Sequence, residues 1–156
     1  MSKCRLATNK VTAIGSIVLA AMLTFPAFAA AEVIGHIKTT KGDVVVVSHG
    51  LKRAVQPGDK LRVSDTVQTG DNSSVGITFR DDSRTALGPN SKMQMKEFAF
   101  EPAENQYSFV SKMFKGSMVF VSGLIAKLAP DTARVETTTA TVGIRGTRFL
   151  LRVEEE

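Results

Sequence analysis

Two histidines, His36 and His49, are the only ones in the 156 residues, and no cysteine follows Cys4. A histidine serves as a general base only beside a group that it can deprotonate. Neither histidine is accompanied by a Gly-x-Ser-x-Gly elbow or a cysteine nucleophile, and the two are not spaced as a zinc pair. No glycine-rich loop opens a helix, so phosphate cradling is unsupported. Asp71-Asn72-Ser73 and Asp81-Asp82-Ser83 carry oxygen ligands of the kind calcium uses. Asx and Ser side chains also close turns by bonding their own backbone, which accounts for both triplets. Glycoside hydrolysis needs two carboxylates, a cleft and a neighbour that raises one pKa, and the sequence displays neither of the last two. These absences point to a protein that is not an enzyme, with no cofactor and no metal.

Recognition chemistry is better represented. In Thr137-Thr138-Thr139-Ala140-Thr141-Val142-Gly143-Ile144-Arg145-Gly146-Thr147-Arg148-Phe149-Leu150, two β-rich runs flank a Gly-Ile-Arg-Gly hinge. Thr and Val favour the half-buried surface of a strand. Glycine inside such a pattern marks a bulge, a bend or a close approach of two backbones. Gly143, Arg145, Gly146 and Thr147 are therefore the candidate site, read either as a partner contact or as a structural hinge. In the structural reading the planar guanidinium of Arg145 satisfies carbonyls or a carboxylate elsewhere in the fold. In the other, the kink presents it to a partner.

The elements that must position this stretch are strands. Val33 to Lys38, Val44 to Val47, Leu51 to Val55, Leu61 to Val63 and Val75 to Phe79 read as strands, divided by Thr40-Lys41-Gly42-Asp43, His49-Gly50, Gln56-Pro57-Gly58-Asp59 and Thr69-Gly70-Asp71. The run Val44 to Val47 is typical of a strand covered on both faces. Met93, Met95, Phe98 and Phe100 are core candidates, and the change of parity between Met95 and Phe98 predicts a bulge near Glu97. Glu101 to Gln106, with Pro102, predicts an exposed hairpin loop; Ser122 to Leu128 predicts a helical turn stopped by Pro130. Turn residues recur at the spacing of an all-β sandwich, barrel or short solenoid. The expected fold is all-β, two stacked and mainly antiparallel sheets with the last strand near the first.

The start of the chain follows another pattern. Lys3, Arg5 and Lys10 precede an uncharged apolar run from Val11 to Phe25, and Ala27-Phe28-Ala29 supplies the small residues of a cleavage site. Residues 1–29 read as a signal peptide, cut after Ala29 or, as second choice, after Ala31; the competing reading is an uncleaved anchor in the inner membrane. Residues 30–156 form one domain that ends in the acidic tail Glu154-Glu155-Glu156. Three of the twenty basic residues and none of the fifteen acidic ones fall in 1–29, leaving 17 against 15, a net of +2. The remaining basic residues are scattered among acidic ones, which argues against nucleic acid. The expected compartment is the periplasm or outside the cell, with the membrane touched only through the leader.

The closing motif, Thr-x-x-Ala-x-Val-Gly-Ile-Arg-Gly-Thr-x-Phe, resembles that of the FecR-like domain family. Gly42-Asp43, Pro57-Gly58-Asp59, Thr69-Gly70-Asp71, the strand through Ile77 and Phe79 with Asp81-Asp82-Ser83, and Gly116-Ser117 agree with it. Asp82 departs from the family, which more often has Gly there. The resemblance implies an all-β exported domain that recognises another envelope protein, such as an outer-membrane transporter or another periplasmic protein, in sensing or signalling. Only about ten residues precede the apolar run, too few for the cytoplasmic segment that contacts a sigma factor in the family's signalling members. The shared family positions suggest an ion pair of Asp81 or Asp82 with Arg145. The alternative of another class is a structural or cell-wall, polysaccharide-binding envelope protein.

Overall fold

The computed structural model describes residues 32–146 and 148–154. The leader, Thr147 and the last two residues of the acidic tail lie outside them. The chain is all-β. Strands β1 (Val33–Lys41), β2 (Val44–Ser48), β3 (Leu51–Ala54), β4 (Lys60–Arg62), β5 (Thr66–Thr69), β6 (Ser74–Phe79), β7 (Arg84–Leu87), β8 (Lys92–Glu101) and β9 (Gln106–Val121) hydrogen-bond in the order β3-β2-β5-β8-β9-β7-β6-β1-β4. Beyond β9 come a one-turn helix α1 (Leu124–Leu128), a 3₁₀ turn (Pro130–Thr132), β10 (Ala133–Glu136), β11 (Thr141–Gly143) and β12 (Arg148–Val153).

Hydrogen bonding links every strand into one continuous, strongly curled sheet rather than two separate stacked ones. Strand β9 is the reason. Its first part pairs with β8 from Gln106 to Lys115, and its last part pairs with β7 from Met118 to Val121. Between them Gly116 adopts φ 93°, and a Cβ there would strike the backbone of Ser91. Only glycine takes that conformation at that approach without strain. The inward residues change parity across it, from Phe109 and Met113 to Met118 and Phe120. The last strand is not beside the first: β12 pairs with β9, and β7 and β6 separate β9 from β1.

Period-two patterning explains most of the remaining strands. Val75, Ile77 and Phe79 are buried while Ser74, Gly76 and Thr78 are half-buried. Val44 and Val46 face the core, but Val45 and Val47 are only half covered, so this run lies on an open face. Met93, Met95 and Phe98 are buried, with the register shift between Met95 and Glu97. A phenylalanine chain unites the interior: Phe109 stands edge-on to Phe79 at 5.2 Å and to Phe120 at 5.0 Å, and Phe120 stacks on Phe149 at 5.4 Å. The β8–β9 connection is exposed and carries Pro102 at the start of a 3₁₀ turn.

Candidate functional site

The closing motif is assembled on β9. Strand β10 pairs with it in parallel, Ala133 opposite Phe109, and β11 returns antiparallel along β10. Thr137 closes the turn between them: its Oγ1 accepts from the Ala140 amide at 2.9 Å, and its own amide donates to the Ala140 carbonyl at 2.7 Å. Ile144 then leaves the surface. It is 1% exposed, and its amide donates to the Ala133 carbonyl at 2.9 Å. This buried isoleucine is the anchor of the motif.

Arg145, next in sequence, turns outward. Its Nη2 donates to Asp131 Oδ1 at 2.7 Å, with both side chains about four-fifths exposed (77% and 82%). Asp131 belongs to the 3₁₀ turn Pro130–Thr132. Gly143 and Gly146 flank the arginine at ordinary negative or extended φ, and a Cβ on either would meet nothing within 4 Å. The fold itself thus makes no steric demand for glycine at these two positions. Beyond Thr147, which lies outside the described residues, β12 alternates. Phe149, Leu151 and Val153 pack against the core, while Arg148, Leu150 and Arg152 are exposed. A depression of about 390 Å³ separates the end of β12 from the β10–β11 turn and Val142.

Asp81 and Asp82 do not join Arg145. Asp81 is 1% exposed, and all its acceptor capacity is directed inward. Oδ1 takes the Ser83 hydroxyl at 2.6 Å and the Ser83 amide at 3.2 Å, and Oδ2 takes the Ile125 amide at 3.4 Å. Its carbonyl accepts from the Leu124 amide at 2.7 Å. Asp81, far away in sequence, thereby serves two free amides at the start of α1, one through its carboxylate and one through its carbonyl, where Gly123 supplies no capping side chain. Asp82 is exposed with φ 63°, so it holds the left-handed turn position that glycine would fill.

The acidic triplets behave as turns. Asn72, Asp82 and Asn90 all have positive φ, and each is followed by a buried serine. Ser73 Oγ donates to the Asp71 carbonyl at 3.0 Å, and Ser91 Oγ to the Pro89 carbonyl at 3.2 Å. Among the described residues no three His, Cys, Asp or Glu side chains gather as a metal-binding group. His36 and His49 are both exposed. One carboxylate is visibly tuned. Glu136 on β10 is held below the usual glutamate range, chiefly by its hydrogen bond from Lys96 at 2.8 Å; burial opposes this, and the Lys96 charge and the hydrogen bond and charge of Arg134 add to the lowering.

The sequence does not reveal Asp131, the buried role of Ile144 or the capping role of Asp81. Nothing local marks Asp131 as a partner of Arg145, fourteen residues on. Alternation through Val142 and Ile144 was the available signal for the anchor.

Around the motif lie the exposed Arg145, Arg148 and Arg152, glycines with open space beside them, and a depression bounded by β12. Among solved structures, a chain described as a cell surface anchoring domain is 35% identical over 42% of this chain and 87% of its own length, with a TM-score of 0.40. No curated protein matches the chain. The family model described as FecR protein matches residues 65–156, which take in the strands from β5 onward, the bend of β9 and the whole closing motif. The chain belongs to the FecR protein family.

Proposed function

We propose that this protein is a non-catalytic recognition module of the cell envelope, exported by the leader at residues 1–29 and contacting another envelope protein through the Gly143–Gly146 hinge and the exposed side of β12. The observation that carries the reading is the pair of glycines around Arg145. Neither has a positive φ, and neither has a neighbour that a Cβ would touch, so the isolated fold does not require them. Glycine on both sides of a protruding arginine lets a second surface come close to the backbone. The pair with Asp131 holds Arg145 only weakly, because two exposed charges are screened by water. A partner carboxylate in a drier setting would compete for the guanidinium with advantage. The edge of β11, which among the described residues pairs only with β10, offers backbone groups to the same partner. In this reading the two halves of the curled sheet act as the two layers of a sandwich that holds the hinge in place.

The test is cross-linking in the cell followed by capture of the protein from the envelope, with wild type beside Arg145→Ala and Gly146→Val, each first shown to be exported and folded. Capture of one envelope protein by wild type and its loss in both variants supports the reading. Equal capture by all three removes the hinge from the contact.

A further inference from the structure

A second surface lies on the outer face of β5, β8 and β9, away from the hinge. Phe114 is half-buried there, and two ammonium groups share its ring: Lys92 Nζ lies 5.0 Å and Lys112 Nζ 5.1 Å from the centroid. The face of the ring attracts each cation, but the cations repel one another. Neither lysine has a carboxylate within ion-pair distance among the described residues. Glu136, which stands opposite Lys112 in the register, is already engaged by Lys96 and Arg134. Around the ring, Lys52, Gln68, Lys92 and Lys115 line an open depression of about 520 Å³. Glu154 lines the adjoining cleft with Lys115; Lys112 stands beside the Phe114 ring, outside the lining of the depression, and the proposed cationic contacts are Lys52, Lys92 and Lys112.

We propose that this depression binds an anionic polysaccharide, with acidic groups of the glycan between Lys92 and Lys112 and a sugar ring against Phe114. An anion placed there relieves the repulsion of the two ammonium groups and gains two charge-assisted contacts. Its position in the sheet excludes the commonest way of holding a peptide. Both edges of β8 at Gln94 and of β9 at Lys112 are already paired, so no strand can add to these two strands. Recognition there falls to side chains: ammonium groups, the Gln68 amide and an aromatic face, a set suited to charged sugars. The cations surround a hollow rather than crown a ridge, which fits a flexible chain better than a flat bilayer. This site does not depend on the hinge being a protein contact.

The experiment is calorimetric titration of the full chain at low salt with oligomers of polygalacturonate, and in parallel with neutral dextran and with polyglutamate of matched charge. Wild type binds the polygalacturonate, does not bind dextran, and binds polyglutamate more weakly. Lys92→Gln/Lys112→Gln lowers the affinity about tenfold or more, Phe114→Leu weakens it with the charges intact, and Arg145→Ala leaves it unchanged. Melting temperatures identify folded variants; should the double variant not fold, Lys52→Gln, on the exposed edge strand, takes its place. No binding of polygalacturonate, unaltered binding by the folded lysine variant, or equal binding of polyglutamate overturns the proposal, the last in favour of an acidic protein ligand.

Discussion

Phe109 and Phe120 stand on one strand, yet their ring centroids are 5.0 Å apart. A straight strand would place residues eleven positions apart at about 36 Å. Strand β9 must therefore bend sharply, and the change of inward parity across Gly116 turns both rings to the same core. Phe109 also touches Phe79 and Phe98, which come from the two different halves of the sheet. Phe109→Ala is expected to cost about 3–5 kcal/mol, read as a lower midpoint in urea unfolding, because no neighbour on either half can close the void alone.

The glycines of this chain separate into two kinds, and alanine substitution distinguishes them. Gly116→Ala meets Ser91 and forces a side chain to φ 93°, so a loss of about 3 kcal/mol or more is expected. Gly143→Ala and Gly146→Ala enter open space and should change stability by no more than about 0.5 kcal/mol. Thermal melts of the three variants check the contrast. A large loss at Gly143 or Gly146 would show a structural demand on the hinge.

Asp81→Ala removes the acceptor of the Ser83 hydroxyl and of the Ile125 amide inside the core, and should cost about 2–3 kcal/mol. Arg145→Ala breaks only an exposed pair and should cost less than about 0.5 kcal/mol. The two substitutions should add in a double-mutant cycle, whereas Asp131→Ala and Arg145→Ala should share their small effect.

Asp82 occupies a left-handed position that costs a side chain free energy and costs glycine none. Asp82→Gly is expected to raise stability by about 0.5–1 kcal/mol, and Asp82→Val to lower it by about 1–2 kcal/mol. Calorimetric melting of the two variants reads the sign directly.

Glu136 predicts a dependence on acid. Its carboxyl pKa in the folded protein lies below 4.5, chiefly through the hydrogen bond from Lys96. A depressed folded pKa stabilises the native state above the unfolded value, and that contribution fades as the pH falls through the folded one. In an NMR titration the Glu136 carboxyl should titrate below pH 4.5 in wild type and return toward it in Lys96→Ala.

The legibility of this molecule in its sequence follows the range of the interactions. Val75, Ile77 and Phe79, the Glu97 bulge, the Pro102 loop and the short helix before Pro130 each rest on local alternation or turn chemistry, and they stand where the pattern puts them. The single continuous sheet was not legible, because it depends on one strand serving both halves, and no local pattern tells a bend at Gly116 from a hairpin turn. From sequence alone, Lys115-Gly116 reads as a turn and Ser117 to Val121 as a separate strand. At the site, the spacing of Gly143 and Gly146 draws attention to Arg145, which is exposed. The partner of Arg145 was not legible, because a pair formed in water leaves no hydrophobic pattern to find. Asp81 was equally hidden: the amides that it serves belong to a helix 44 residues away.

Strand β9 also sets the order in which the molecule can be built. Strands β1 and β2 follow one another in sequence but lie near opposite ends of the strand order. The subsheet of β1, β4, β6 and β7 and that of β2, β3, β5 and β8 are joined by strand pairing only through β9. Before Gln106–Val121 is in place, each is a shallow sheet with its apolar face uncovered, and closure then depends on contacts distant in sequence. Such a topology has high contact order and folds in milliseconds to seconds rather than microseconds. Closure of the curled sheet therefore joins segments distant in sequence through one strand.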